Sequence, residues 1–306
     1  MSARSAAQQA PLSRTNGSVT ALRLGRRTFA PGELAVMAIV NRTPDSFFDR
    51  GATFAPDAAL RAVEAAVAEG ADLIDIGGVK AGPGAEVDAA EEIRRTVPTI
   101  AAVRAGFPDV VISIDTWRAN VAREAIAAGA DLINDTWAGA DPELAEVAAA
   151  TGAGLVCSHA GGATPRTRPH RVAYADVVAD VRATVTALAE RALDLGVRRD
   201  GILIDPTHDF GKNTRHSLEL TRRLDELVAT GWPVLVALSN KDFIGETLDL
   251  AVDQRLEGTL AATAVSAWLG ARVFRAHQVR QTRQVLDMVA SIRGDRPPAV
   301  ARRGLA

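Results

Sequence analysis

The sequence predicts a single α/β domain built as a TIM (β/α)8 barrel, and three observations carry that prediction. One short pattern recurs: Gly70 to Gly77 reads Gly-Ala-Asp-Leu-Ile-Asp-Ile-Gly, Gly129 to Asp135 reads Gly-Ala-Asp-Leu-Ile-Asn-Asp, Gly152 to His159 reads Gly-Ala-Gly-Leu-Val-Cys-Ser-His, and Gly270 to Arg275 reads Gly-Ala-Arg-Val-Phe-Arg. Each copy follows an Ala-rich helical stretch and then runs as a continuous apolar segment. That is the pattern of a parallel strand buried on both faces, with crossover helices between strands. Each copy also ends on a polar or charged side chain, and barrels of this kind place their sites at the carboxyl ends of the strands.

The length of 306 residues suits one such barrel, and 47% apolar content sustains its core. No run approaches the roughly 20 apolar residues of a membrane span, and the N-terminus lacks a signal-peptide segment, so a cytoplasmic protein without a membrane partner is expected. The formal net charge of −2 offers no basic surface for nucleic acid. The single Cys157 excludes an intrachain disulfide framework and a Cys-rich zinc site. Among 35 basic residues the lysines are Lys80, Lys212 and Lys241, each just after a predicted strand, where a compact point charge differs in use from an arginine fork.

In chain order, residues 1–18 are Ala, Gln and Ser rich without periodicity and are expected to be disordered; residues 19–293 form the barrel domain and 294–306 a tail. Val19 to Phe29 reads as a hairpin closing the barrel floor. Leu34 to Val40 is the first barrel strand, and Pro44 and Asp45 end it in a loop. The first helix, Pro56 to Glu69, opens with Pro and an acidic first turn. A strand ending at Asp75 is followed by a Gly/Pro-rich loop, Val79 to Ala85, and a helix over Val87 to Ala105 that Pro98 is expected to kink or break. Later strands deliver Asp115, then Asn134 and Asp135, then Ser158 and His159. A mobile loop is expected over Ala160 to Ala173, and a helix over Tyr174 to Leu195. The next strands deliver Asp205, then Ser239 to Lys241, then Arg275 and His277. Helices over Gln254 to Leu269 and Val279 to Arg293 flank the last strand.

The predicted top face thus collects Asn41, Asp75, Asp115, Asn134, Asp135, His159, Asp205, Lys241, Arg275 and His277. Asp115, Asn134, Asp205 and Lys241 form a set of acceptors and donors suited to a flat, nitrogen-rich heterocycle, because a carboxylate can accept two parallel N–H bonds from an amino-pyrimidinone edge. Asn41, Arg275 and His277 suit phosphate oxygens. No His/Cys/Glu spacing suggests a protein metal cage, so any Mg²⁺ is expected to be held largely by phosphates.

These residues resemble a known family. Asn41-Arg-Thr-Pro-Asp-Ser-Phe, Asp75-Ile-Gly-Gly, Ser113-Ile-Asp-Thr, Ile133-Asn-Asp, Asp205-Pro with Phe210-Gly-Lys, Ser239-Asn-Lys and Arg275-Ala-His are similar, in order, to the motifs of dihydropteroate synthase. The resemblance spans Leu34 to Val279. It implies a homodimeric TIM barrel of folate biosynthesis, a transferase that joins 6-hydroxymethyl-7,8-dihydropterin pyrophosphate to p-aminobenzoate. It gives Asp205 the pterin's 2-amino and N3 edge, Asp115 and Asn134 other ring nitrogens, Lys241 the carbonyl side, and Phe210 the wall towards aminobenzoate. Asn41, Arg275 and His277 would hold pyrophosphate, with Asn41 also near Mg²⁺; Lys241, Arg275 and His277 would carry catalysis through charge stabilisation.

Departures from the motifs fall in one region. The family's Gly-Gly-Glu-Ser-Thr-Arg-Pro-Gly is here Gly77-Gly-Val-Lys-Ala-Gly-Pro-Gly, so its Thr becomes Ala81 and its Arg becomes Gly82, with Lys80 the nearest replacement charge. Ser-Arg-Lys becomes Ser239-Asn240-Lys241, Met-His-Met becomes Ser158-His159-Ala160, and the Asp after the last His becomes Gln278. The expectation is a divergent member that keeps the pterin pocket and condenses weakly or not at all. A fully active synthase with a rewired loop is the alternative, and a pterin-using methyltransferase barrel is a third reading, for which no corrinoid module is seen.

Overall fold

The computed structural model describes residues 21–44, 51–167 and 172–303. The expectation of disorder over residues 1–18 lies outside them, as do residues 168–171 of the loop expected to be mobile. Strands β1 (Leu22–Leu24) and β2 (Arg27–Phe29) form the expected hairpin. It turns at Gly25, whose φ of 54° is open to glycine without the strain a Cβ would bring.

Eight parallel strands follow: β3 (Ala35–Asn41), β4 (Leu73–Gly77), β5 (Val111–Asp115), β6 (Leu132–Asp135), β7 (Gly154–Ser158), β8 (Ile202–Asp205), β9 (Leu235–Ala237) and β10 (Val273–Ala276). Strands β3 to β8 pair in sequence, and β10 pairs with both β3 and β9. A single bridge between Ile204 and Val234, with Ile204 N donating to Pro233 O at 2.9 Å, joins β8 to β9 and closes the barrel.

Helices α1 (Pro56–Ala68), α2 (Ala89–Gly106), α3 (Ala119–Ala127), α4 (Glu143–Thr151), α5 (Val177–Asp194), α6 (Thr214–Arg222), α7 (Leu224–Val228), α8 (Asp242–Leu248), α9 (Leu256–Leu269) and α10 (Val279–Arg293) occupy the crossovers. Their starts obey local chemistry. Pro56 opens α1, Asp88 caps α2 by accepting from Glu91 N, and Asp176 caps α5 by accepting from Val178 N and Ala179 N. Pro98 does not break α2, which runs as one helix. The ladder bond that Pro98 cannot make is the one to Arg94 O; the neighbouring Arg95 O accepts from Arg42 Nε at 3.0 Å and from the Thr99 hydroxyl.

Two cores share the strands. Side chains alternate across a strand with a period of two. Val36, Ala38, Val40, Ile74, Ile76, Ile112, Ile114 and Ile133 face the helices in the larger core. Ala35, Met37, Leu73, Val111, Leu132, Val156, Leu203, Leu235 and Val273 fill the barrel interior, and Leu22, Leu24 and Phe29 of the hairpin plug its floor. Among the described residues no helix is long and apolar enough to cross a membrane.

Candidate functional site

The same alternation builds the site. Two residues beyond the interior Leu73, Leu132, Leu203 and Val273, and four beyond Val111, stand Asp75, Asn134, Asp205, Arg275 and Asp115, which therefore share the inward face at the top of the barrel. Asp135 and His159 fall on the opposite parity. The Asp135 carboxylate accepts from Trp137 N at 2.9 Å and Gly139 N at 2.6 Å, and it lines a small pocket with Leu144, Cys157 and Leu188 between strand and helices. His159 Nε2 meets Asp180 Oδ1 of α5 at 2.8 Å. Both belong to the barrel's outer side rather than to its mouth, so the predicted top face loses these two.

Arg275 is the hub. Its Nε donates to Asp75 Oδ2 at 2.6 Å and an NH2 nitrogen donates to Asp115 Oδ2 at 2.9 Å. Asn134 Nδ2 donates to Asp75 at 3.2 and 3.4 Å, and the Thr136 hydroxyl donates to Asp115 Oδ1 at 3.3 Å. Arg275, read from the sequence as a phosphate ligand, is thus tied to Asp115 of the heterocycle set. Burial opposes its charge, but the carboxylates of Asp75 and Asp115 outweigh that and hold its pKa above the ordinary value. Burial pushes the Asp115 carboxyl up to about 7, against the pull of Arg275.

Asp205 accepts from Thr207 N at 2.7 Å, and burial raises its pKa to about 6 although Thr207 N and Lys241 favour the anion. Lys241 Nζ donates to His208 O at 2.9 Å and lies 4.5 Å from the centre of the Phe210 ring, a cation–π contact. Phe210 in turn meets Trp137 edge-on at 5.2 Å. His277 Nδ1 lies 2.9 Å from Ser239 Oγ; burial, with Arg275 and Lys241 nearby, lowers its pKa to about 3, so it is a neutral imidazole. Asn41 ends β3 in register with Gly77, and Lys80 is half-buried on the loop after β4.

Several contacts escaped sequence reasoning. Lys212 is buried and donates to three carbonyls, His159 O at 2.9 Å, Thr207 O at 3.1 Å and Phe210 O at 2.8 Å. It pins the loop that presents Phe210, where Gly211 packs so closely on Ala160 O that a Cβ could not fit. The loop after β4 is gripped by three arginines through its backbone. Arg95 donates to Gly78 O at 3.0 Å, Arg118 to Val87 O at 2.7 Å, and Arg166, from the loop after β7, to Gly82 O at 3.4 Å and Ala85 O at 2.8 Å. The departures at Asn240 and Gln278 are in mutual contact: Asn240 Nδ2 donates to Gln278 Oε1 at 3.4 Å, and the Ser239 hydroxyl donates to the same oxygen at 3.2 Å.

The profile of the pterin-binding enzyme family matches residues 37–277, the stretch that holds every one of these strand ends. The chain belongs to the dihydropteroate synthase family of pterin-binding enzymes. An inactive dihydropteroate synthase 2 of Mycobacterium leprae is 64% identical over 286 residues, covering 92% of this chain and 98% of the relative. The dihydropteroate synthase of Haemophilus influenzae is 40% identical over 254 residues, covering 83% and 92%. Among solved structures, the Yersinia pestis dihydropteroate synthase in a sulfonamide complex superposes with a TM-score of 0.85 at 35% identity, covering 90% of this chain and 100% of that one. Family membership therefore agrees with the motif order and with the barrel.

Proposed function

We propose that this protein binds a pterin at the barrel mouth and condenses 6-hydroxymethyl-7,8-dihydropterin pyrophosphate with p-aminobenzoate weakly or not at all. One contrast carries the reading. Asp115, Asn134, Asp205 and Lys241 converge at the mouth, whereas Ala81, Gly82 and the neutral Asn240–Gln278 contact occupy positions where the family motifs carry a Thr, two arginines and an Asp. The relatives called inactive at 62–64% identity favour the same conclusion.

In this reading Asp205 takes the amino-pyrimidinone edge, Asp115 and Asn134 take further ring nitrogens, Lys241 takes the carbonyl and Phe210 forms a wall. In the condensation the amine nitrogen bonds to the pterin's methylene carbon as the carbon–oxygen bond to pyrophosphate breaks. Arg275, Lys241 and a neutral, hydrogen-bonding His277 would stabilise the departing charge, with Asn41 and Lys80 on the phosphate side. Among the described residues no three His, Cys, Asp or Glu side chains gather to hold a metal ion. The donor set therefore fits Mg²⁺ only as an ion carried by pyrophosphate, with Asn41 the protein's contribution.

The assembly proposed is a cytoplasmic homodimer with residues 19–293 as one unit and 294–306 as a tail. Val265 and Trp268 of α9 and Met288 and Ile292 of α10 are exposed large apolar residues, while Leu256 and Leu260 are half-buried, so an outward face is available for a second copy. A monomeric mass at micromolar concentration would remove the dimer. Calorimetry with 6-hydroxymethylpterin and a pyrophosphate-release assay with both substrates test the main reading. Binding with turnover far below about 1 per second supports it; turnover at about 1 to 10 per second replaces it with a working synthase, and absence of binding defeats it.

A further inference from the structure

Asp75 belongs to neither ligand set read from the sequence, yet it touches both. Its side chain is fully buried, and it accepts from Arg275 Nε at 2.6 Å and from Asn134 Nδ2 at 3.2 and 3.4 Å. A carboxylate bound to a guanidinium can only accept hydrogen bonds. The Asn134 amide must therefore turn its NH2 towards Asp75 and its carbonyl oxygen away. That oxygen, Asn134 Oδ1, is buried and has no hydrogen-bond partner among the described residues. Buried acceptors are ordinarily paired, so the missing partner is a hydrogen-bond donor.

Arg275 locks this arrangement, because its second contact, to Asp115 Oδ2 at 2.9 Å, prevents the guanidinium from swinging off Asp75. With one end of the amide committed, position 134 can serve only a hydrogen-bond donor, which on a heterocycle edge is a hydrogen-bearing nitrogen. On an amino-pyrimidinone edge, N3 and the exocyclic amine carry hydrogens, while N1 offers a lone pair. Asp205 can take N3–H and one amine hydrogen; the other amine hydrogen is then the donor that suits Asn134 Oδ1.

We propose that Asp75 is a positioning residue that sets the hydrogen-bonding polarity of Asn134, and thereby makes the site select a 2-amino pteridine over its 2-oxo counterpart. The proposal rests on the pterin reading above. The 2-oxo ligand sets its O2 lone pairs against a fixed buried acceptor and carries a hydrogen only at N1, one atom away, so Asn134 Oδ1 discriminates at position 2. Asp75→Asn provides the sharpest change. The new amide still accepts from Arg275 through its oxygen, but its NH2 meets Asn134, which must turn its own oxygen inward and present NH2 to the ligand.

The test is calorimetry with two probes, 6-hydroxymethylpterin and 6-hydroxymethyllumazine, the latter carrying oxygen at position 2. The oxidised pterin is used because its N8 carries no hydrogen, leaving the amine as the donor. In the native chain the pterin binds more tightly. In Asp75→Asn the ratio of the two affinities is expected to fall by about tenfold or more, with the lumazine holding or gaining. An equal loss for both ligands, as a merely structural role would give, overturns the proposal, and so does no change. Asn134→Leu gives a second reading that does not depend on Asp75→Asn folding: it should cost the pterin more than the lumazine, and an unchanged ratio counts against the idea. If the native chain binds neither probe, the pterin reading falls and this proposal with it, a result distinct from equal weakening.

Discussion

Two layers of the barrel mouth, the strand ends and the loops above them, are held together by different means. At the ends of β4–β6 and β10, Asp75, Asp115, Asn134 and Arg275 hold one another through their side chains, so each depends on the identity of the rest. In the loops, the segment after β4 is held through backbone carbonyls, and Asn240 and Gln278 meet as neutral amides. Buried charges cannot be altered one at a time without stranding a partner. Backbone-held residues can. The family motifs survive at the strand ends and are lost in the loops, which is the pattern this difference allows.

The strongest test of the contrast is Arg275→Ala. It leaves Asp75 buried without its cation, and a loss of about 3 to 5 kcal/mol of stability is expected in urea unfolding; a loss under about 1 kcal/mol would show that the network is not structurally coupled. In the rewired loops, Ala81→Thr, Gly82→Arg, Asn240→Arg and Gln278→Asp together should raise pyrophosphate release by about a hundredfold to ten-thousandfold, from two charged hydrogen bonds of roughly 1.5 to 3 kcal/mol each. The same set without Gln278→Asp should gain less, because the new guanidinium would join Lys241 and Arg275 without a carboxylate beside it. Equal gains would mean that the Asn240–Gln278 contact is incidental.

Asp205→Ala should weaken pterin binding by roughly 1 to 3 kcal/mol for each ligand donor left unpaired, read by calorimetry, and should also lower thermal stability, because Thr207 N loses its buried acceptor. A pH series sharpens this further. The Asp205 carboxyl titrates near 6 in the folded chain against an ordinary 3.8. Between those values the folded state holds the extra proton, so this group's contribution to stability declines as pH rises from about 4 to 6. In the proposed reading, pterin recognition needs the anion. Affinity is therefore expected to fall towards tenfold per unit as pH drops below about 6, and to fall less steeply in Asp205→Asn, where only the Asp115 carboxyl, near 7, still titrates in the pterin set. The smallest effect belongs to an exposed pair away from the mouth: Arg280→Ala, which breaks the 3.0 Å contact to Glu69, should change stability by less than about 1 kcal/mol.

The barrel was legible because buried parallel strands write themselves as apolar runs, and the polar residue that closes each run announces the mouth. Parity was the part left unread. Asp135 and His159 stand at strand ends as plainly as Asn134 and Asp205, yet a shift of one residue turns them outward. Contacts between distant loops were also beyond reach: Arg166 lies 84 residues from Gly82, and Asn240 lies 38 from Gln278, so no local pattern relates them. Lys212 was noticed as a rare lysine after a strand, but its three carbonyl partners make it a tie for the loop rather than a charge offered to a ligand.

A loop gripped by its carbonyls obeys a particular economy of change. Every residue has the same carbonyl, so Arg166 holds Gly82 and Ala85 in place whatever side chains those positions carry, while Gly78, held by Arg95, has no room for a Cβ beside Thr96. The path of the loop is thus inherited from its neighbours, while its own letters can drift. Chemistry can be erased from such a segment, or written back into it, without first redrawing the fold.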